Sequence, residues 1–143
     1  MHVLVRQIDA VDAQSICALS EQLGYHLAAS ETETQIKAVL LRDDNCAFVA
    51  VSDENIIGWI HGLKAIRIET PPFVEIGGLV VDERYRGKGI GEKLVNRVKQ
   101  WCIEQGISSL KVRCNTKRLE AHKFYNKIGF IEIKTQKVFE MEL

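Results

Sequence analysis

A chain of 143 residues, 46% hydrophobic and 27% charged, holds enough apolar matter for one packed core without disulfides or metals. Its 19 Lys and Arg balance 19 Asp and Glu, so no global field recruits nucleic acid as a partner. No apolar run is long enough to span a bilayer.

Residues 2–8 read as a strand rather than a signal peptide. Ile16, Leu19 and Leu23 recur at helical spacing over 12–23, and Gly24 stops that helix. Tyr25 and His26 fall in the connection. Thr32 and Gln35 form a capping-box pattern before a helix carrying Ile36, Val39 and Leu40. Two strands, 46–51 and 56–63, are joined by Asp53, Glu54 and Asn55 as a hairpin. Pro71 and Pro72 break the chain. The apolar run 73–81 is interrupted by Glu75 and by Gly77 and Gly78, which mark a bulge or a close approach by another group. A glycine-rich turn then opens the longest helix, whose apolar face is Ile90, Leu94, Val95, Val98, Trp101 and Cys102, with Gly106 as its stop. Residues 108–114 alternate, with Leu110, Val112 and Cys114 on one side. Asn115 or Thr116 is expected to cap a last helix ending at Gly129, and 130–143 is expected to supply closing strand material. This mixed order predicts an α/β fold of the α+β type: one domain over 1–143, with a twisted, mostly antiparallel sheet, a bulged central strand and flanking helices.

The turn carries the chemistry. A strand that runs through glycines into a helix gathers free backbone N–H groups at a helix N-terminus, a seat for phosphate. Arg84, Arg86 and Lys88 add local positive charge, as a solvated loop also would. The nucleotide-hydrolase loop, with its Lys and Ser or Thr after two glycines, is absent. The dinucleotide fingerprint fails because Glu92 stands where its third glycine belongs. A third pattern is met by Arg86, Gly87, Lys88, Gly89, Ile90 and Gly91: Arg or Gln, two residues, Gly, one residue, Gly or Ala. This resembles the pyrophosphate loop of the GNAT-type N-acetyltransferases. Ala121, Phe124 and Tyr125, in a helix closing on Gly129 and Phe130, resemble that family's second signature. Together the two segments cover the C-terminal half of the chain.

The resemblance implies acetyl-coenzyme A as co-substrate and no metal. It implies that Arg86, Gly87, Lys88, Gly89, Ile90, Gly91 and Glu92 hold the pyrophosphate. It also implies that pantetheine slots beside Leu79, Val80 and Val81, whose N–H groups face the thioester carbonyl, with Asn115 near the arm. An ammonium must lose a proton before it attacks a thioester. Glu75 is the only carboxylate in the glycine-containing strand and is the candidate base, although strand alternation alone would point it to solvent or to a cationic partner. Tyr125 matches the tyrosine that protonates the leaving thiolate in the family, or it is a packing aromatic like Phe124. Tyr25, His26, Trp59 and His61 are candidates for the acceptor side, where aromatic faces attract ammonium groups. His2 and His122 read as surface or packing residues. Cys114 offers a covalent route that the family seldom uses.

The four cysteines are scattered, with no C-x-x-C pair or Cys/His cluster, so they read as free thiols in a reducing, cytoplasmic setting. The expected activity is direct acetyl transfer to a primary amine, in the first place a small cationic one, with a homodimer possible. A protein amino group as acceptor, and a non-catalytic acyl-coenzyme A-binding module, are the alternatives.

Overall fold

The computed structural model describes residues 1–143 and contains five strands and four helices. In chain order these are β1 (Leu4–Gln7), α1 (Ala13–Glu21), α2 (Ala29–Leu40), β2 (Asn45–Ser52), β3 (Asn55–Ala65), β4 (Phe73–Val81), α3 (Ile90–Glu104), β5 (Leu110–Val112) and α4 (Leu119–Lys127). The chain parts into two compact units, Met1–Val112 and Arg113–Leu143. No helix is long and apolar enough to cross a membrane.

The first unit is one sheet with helices on both faces. Its strands lie in the order β1-β2-β3-β4-β5, with antiparallel pairs up to β4 and a parallel β4–β5 pair. Asp53 and Glu54 both take positive φ, 48° and 66°, the backbone of a tight hairpin between β2 and β3. On one face, Ile16 of α1 and Ile36 of α2 pack over Ala47 and Val49, with Trp59 at the margin. On the other face lies α3. A β-carbon added to Gly58 would come within 3.2 Å of Leu94, and one added to Gly62 within 3.2 Å of Val98, so these glycines let α3 lie close to β3. Arg97 of α3 stacks 4.3 Å over the Phe48 ring on this face.

Three expectations are not met. Thr32 and Gln35 do not open α2. The helix begins at Ala29 with no side-chain cap, and the Thr32 hydroxyl donates back to the Ala28 carbonyl at 3.1 Å. A reciprocal capping box does form elsewhere, between Asp9 and Asp12 at the turn before α1. Asn115 and Thr116 do not cap α4. Its N-cap is Arg118, and the Asn115 side chain instead accepts from the Lys117 N–H at 2.8 Å, an Asx turn. Residues 130–143 contain no strand.

Candidate active site

The centre of the first unit is the bulge in β4. Gly62 stands opposite Ile76 and His61 opposite Gly78, which leaves Gly77 as the extra residue. Side chains from β3 crowd both glycines: Trp59 at Gly78, and His61 with Leu63 at Gly77. A β-carbon on Gly78 would sit 2.6 Å from the Trp59 ring, and one on Gly77 would sit 3.0 Å from His61 Nδ1. On its other edge, β4 pairs with β5 only at Val74, Glu75 and Ile76, and then the two strands part. Leu79, Val80 and Val81 therefore lie on a stretch of β4 with no strand along one edge. Such an edge offers backbone donors and acceptors to an extended ligand.

The strand delivers the chain to the glycine turn. Asp82 is buried, accepts from the Arg84 N–H at 3.0 Å and pairs with the Arg84 guanidinium at 2.8 Å. Gln22 reaches across from the end of α1 and accepts from the Glu83 N–H at 3.0 Å. Arg86 Nε donates to the Val81 carbonyl at 3.3 Å, and Lys88 Nζ lies 5.4 Å over the Tyr85 ring. Gly87 and Gly89 have φ of 76° and 79°, which side chains rarely adopt, and the space above both is open. Gly89 is the N-cap of α3 and has no side chain to give. The first helical bond of α3 runs from Lys93 N–H to the Gly89 carbonyl. The N–H groups of Ile90, Gly91 and Glu92 thus have no capping side chain, the arrangement an anion fits. The exposed Glu92 carboxylate complements the helix dipole, so only its backbone suits a phosphate.

On the α1 face of β3, His61 Nε2 lies 2.6 Å from Asn45 Oδ1. Asn45 Nδ2 in turn donates to Asp44 Oδ1 at 2.9 Å, and Asp44 is held bidentate by Arg42. Hydrogen bonds from Arg42 and Asn45 pull the Asp44 carboxyl down to about 2. Burial lowers the His61 pKa, which keeps the imidazole neutral near pH 7. The sequence reading found His61 but missed Asn45 and Asp44. Their one signal was the hairpin itself, which sets Asn45 diagonal to His61. Glu75 is half-buried beside Leu63 and is already partnered. Tyr25 is 62% exposed and His26 is exposed in the α1–α2 loop, so neither is packed with Trp59 and His61.

In the second unit, the Tyr125 ring meets Phe124 and Phe130 edge-on, with centroids at 5.1 and 5.5 Å. Burial, and then the neighbouring Cys114, push the phenol up to about 12, so it carries its proton at neutral pH. The Asn115 carbonyl accepts from His122 Nε2 at 2.8 Å, giving His122 a structural role. No cluster of His, Cys, Asp and Glu could hold a metal ion.

A splayed, bulged strand feeding an uncapped helix N-terminus defines a class, and the chain belongs to it: residues 13–130 match the acetyltransferase (GNAT) family. Streptothricin acetyltransferase of Escherichia coli is 24% identical over 90% of this chain and 70% of its own length. N-acetylaspartate synthetase of Rattus norvegicus is 34% identical over 60% of this chain, but the match spans only 28% of that protein. The fold superposes on aminoglycoside N-acetyltransferase AAC(6')-Iy in complex with a bisubstrate analogue, CoA-S-monomethyl-acetylneamine, with a TM-score of 0.88, 18% identity and full coverage of both chains. The aminoglycoside 6'-N-acetyltransferase AAC(6')-Ih of Acinetobacter baumannii gives a TM-score of 0.87 at 16% identity over 99% of each chain.

Proposed function

We propose that this protein transfers the acetyl group of acetyl-coenzyme A directly to the primary amine of a small cationic molecule. The observation that carries this reading is the continuous path from the unpaired edge of β4 to the uncapped N–H groups of α3. The edge at Leu79, Val80 and Val81 suits the pantetheine arm. The N–H groups of Ile90, Gly91 and Glu92 suit the pyrophosphate, with Gly87 and Gly89 clearing space and Arg86 and Lys88 adding charge. Bound there, acetyl-coenzyme A supplies an acyl carbon activated as a thioester.

The acceptor side takes its character from the bulge. Trp59 and His61 come from β3 and Glu75 from β4, an aromatic, an imidazole and a carboxylate on one face. That combination favours an ammonium group. Tyr25 and His26 stand on the exposed loop after α1, suited to closing over an acceptor. Glu75 and His61 are the two groups of this face able to take the ammonium proton. Tyr125 is assigned the donation of a proton to the leaving thiolate, and Asn115 a contact to the pantetheine arm. Four free thiols support a reducing, cytoplasmic setting, and balanced charge supports a small-molecule acceptor over nucleic acid. The exposed apolar side chains beyond α4 favour a homodimer.

The test is a thermal-shift series with acetyl-coenzyme A, followed by a panel of polyamines, aminoglycosides and amino acids in which thiol release is recorded. Expected are a melting temperature that rises with acetyl-coenzyme A concentration and thiol release with at least one cationic amine. No shift at millimolar concentration overturns the reading. A shift without thiol release from any amine leaves a binding module.

A further inference from the structure

Hydrogen bonding along one edge of the hairpin fixes the proton of His61. The side-chain amide of Asn45 has one donor end and one acceptor end. Its donor end, Nδ2, is committed to Asp44 at 2.9 Å, a carboxylate already held by Arg42. Its acceptor end, Oδ1, therefore faces His61 Nε2 at 2.6 Å, and only a protonated Nε2 can complete that bond. In a neutral imidazole one nitrogen carries the proton and the other a lone pair. The lone pair is thus left on Nδ1, and Nδ1 is the atom that lies at the bulge, 3.0 Å from where a β-carbon of Gly77 would be. Gly77 itself is exposed and His61 half-buried, with Leu63 Cδ2 equally close to that point.

Resting on the acetyl-transfer reading, we infer that His61 Nδ1, rather than Glu75, takes the proton from the acceptor amine, with Asn45 and Asp44 as positioning residues. Two points favour His61 over the carboxylate. Nδ1 is left over by the hydrogen bonding around the ring. An imidazole is also a stronger base than an ordinary carboxylate and works closer to neutral pH. The surroundings permit the step. Asp44 stands behind Asn45 on one side, Glu75 lies on β4 on the other, and the buried residues that α1 and α2 turn to the sheet (Ala13, Ile16, Leu19, Thr32 and Ile36) carry no charge. Burial keeps the imidazole neutral and able to accept.

The step balances. One ammonium N–H proton moves to Nδ1, and the imidazolium keeps its Nε2–H on Asn45. The freed nitrogen lone pair forms the C–N bond as the C–S bond breaks. Tyr125 gives its proton to the thiolate in the proposed scheme, and the second N–H proton, lost as the amide forms, returns through solvent to the Tyr125 phenolate. The imidazolium then returns its proton to water. Glu75 keeps the task of drawing the cation in.

Nitrogen-15 NMR of histidine-labelled full-length protein without any ligand reads the tautomer directly. Expected are a protonated Nε2, an unprotonated Nδ1 and a titration midpoint below the ordinary value of about 6.5. A predominantly Nδ1-protonated ring, or a midpoint above that value, overturns the assignment. In the amine assay, His61→Ala should lower kcat/KM for the amine roughly 10²-fold and remove the acid limb of the pH profile. Free imidazole should restore part of the rate, while the acetyl-coenzyme A thermal shift persists. Asn45→Asp places a charge on Nε2 and should move the acid limb to higher pH. Wild-type rates and pH profile in His61→Ala overturn the inference while leaving acetyl transfer standing. Absence of any acetyl-coenzyme A shift in the wild type removes the acetyl-transfer reading and this inference with it.

Discussion

Gly78 shows how a single hydrogen atom in place of a side chain shapes this face. Its α-carbon faces the Trp59 ring so closely that a methyl group would fall 2.6 Å from a ring carbon. Gly78→Ala must displace the ring or the bulge, and overpacking of this kind costs about 1–3 kcal/mol. Chemical denaturation should show that loss, with a change in tryptophan emission, and an unchanged midpoint would mean that the ring moves freely. The sequence announces glycines here but not what presses on them. Alternation puts Trp59 and His61 on one face, yet only the register brings them against the bulge. Tyr125 is the opposite case, since the two rings it meets, Phe124 and Phe130, lie close to it in sequence. Tyr125→Phe keeps that packing and removes only the hydroxyl. We expect kcat to fall on the order of 10²-fold with the melting temperature little changed. Full retention of kcat would leave Tyr125 a packing residue.

At the scale of elements, the Arg6–Asp12 pair ties β1 to the start of α1. Two guanidinium nitrogens each lie 2.9 Å from a carboxylate oxygen, and Asp12 also accepts from the Asp9 N–H. Burial alone would raise the Asp12 pKa, but hydrogen bonds from Arg6 and the Asp9 backbone, with the charge of Arg6, bring it below the ordinary value. Asp44 and Asp82 are lowered too, each chiefly by a hydrogen-bonded arginine. A carboxylate depressed by folding contributes stability that is full above its unfolded pKa of about 3.9 and is lost as pH falls through the folded value. Stability should therefore hold from neutral pH to about 4 and fall between about 4 and 2, the window set by Asp44. Arg6→Ala should cost about 1–3 kcal/mol at pH 7, because it leaves a buried carboxylate short of donors. Urea titrations at pH 7 and pH 3 check both, and a cost that is the same at the two pH values would contradict the sign. The elements themselves were legible wherever periodicity and glycine stops agreed, as in α1, α3 and the β2–β3 hairpin. The start of α2 was not, because a Thr hydroxyl bonds equally well to a carbonyl inside a helix and to an N–H at its end.

Across the whole molecule, the last fourteen residues carry the most exposed run of apolar side chains. Ile131 and Ile133 alternate with Glu132 and Lys134, and Phe139, Met141 and Leu143 alternate with Glu140 and Glu142, two runs with the period of strands. That pattern has the period of strands, yet the structure forms none there, since pairing depends on a partner edge that local sequence does not encode. All five of these apolar side chains, and Val138, stand exposed. A surface so apolar is covered in most soluble proteins. A second copy of the chain offers an identical pair of runs, which can add to its counterpart by two-fold symmetry. We therefore expect sedimentation equilibrium to give a dimer at micromolar concentration, and the double variant Ile131→Lys, Phe139→Lys to shift it to monomer. Hydrogen exchange should show the amides of 131–143 protected in the dimer and open in the monomer. A wild-type monomer with these amides open would leave the segment uncovered, and a monomer with them protected would mean that it pairs within its own chain.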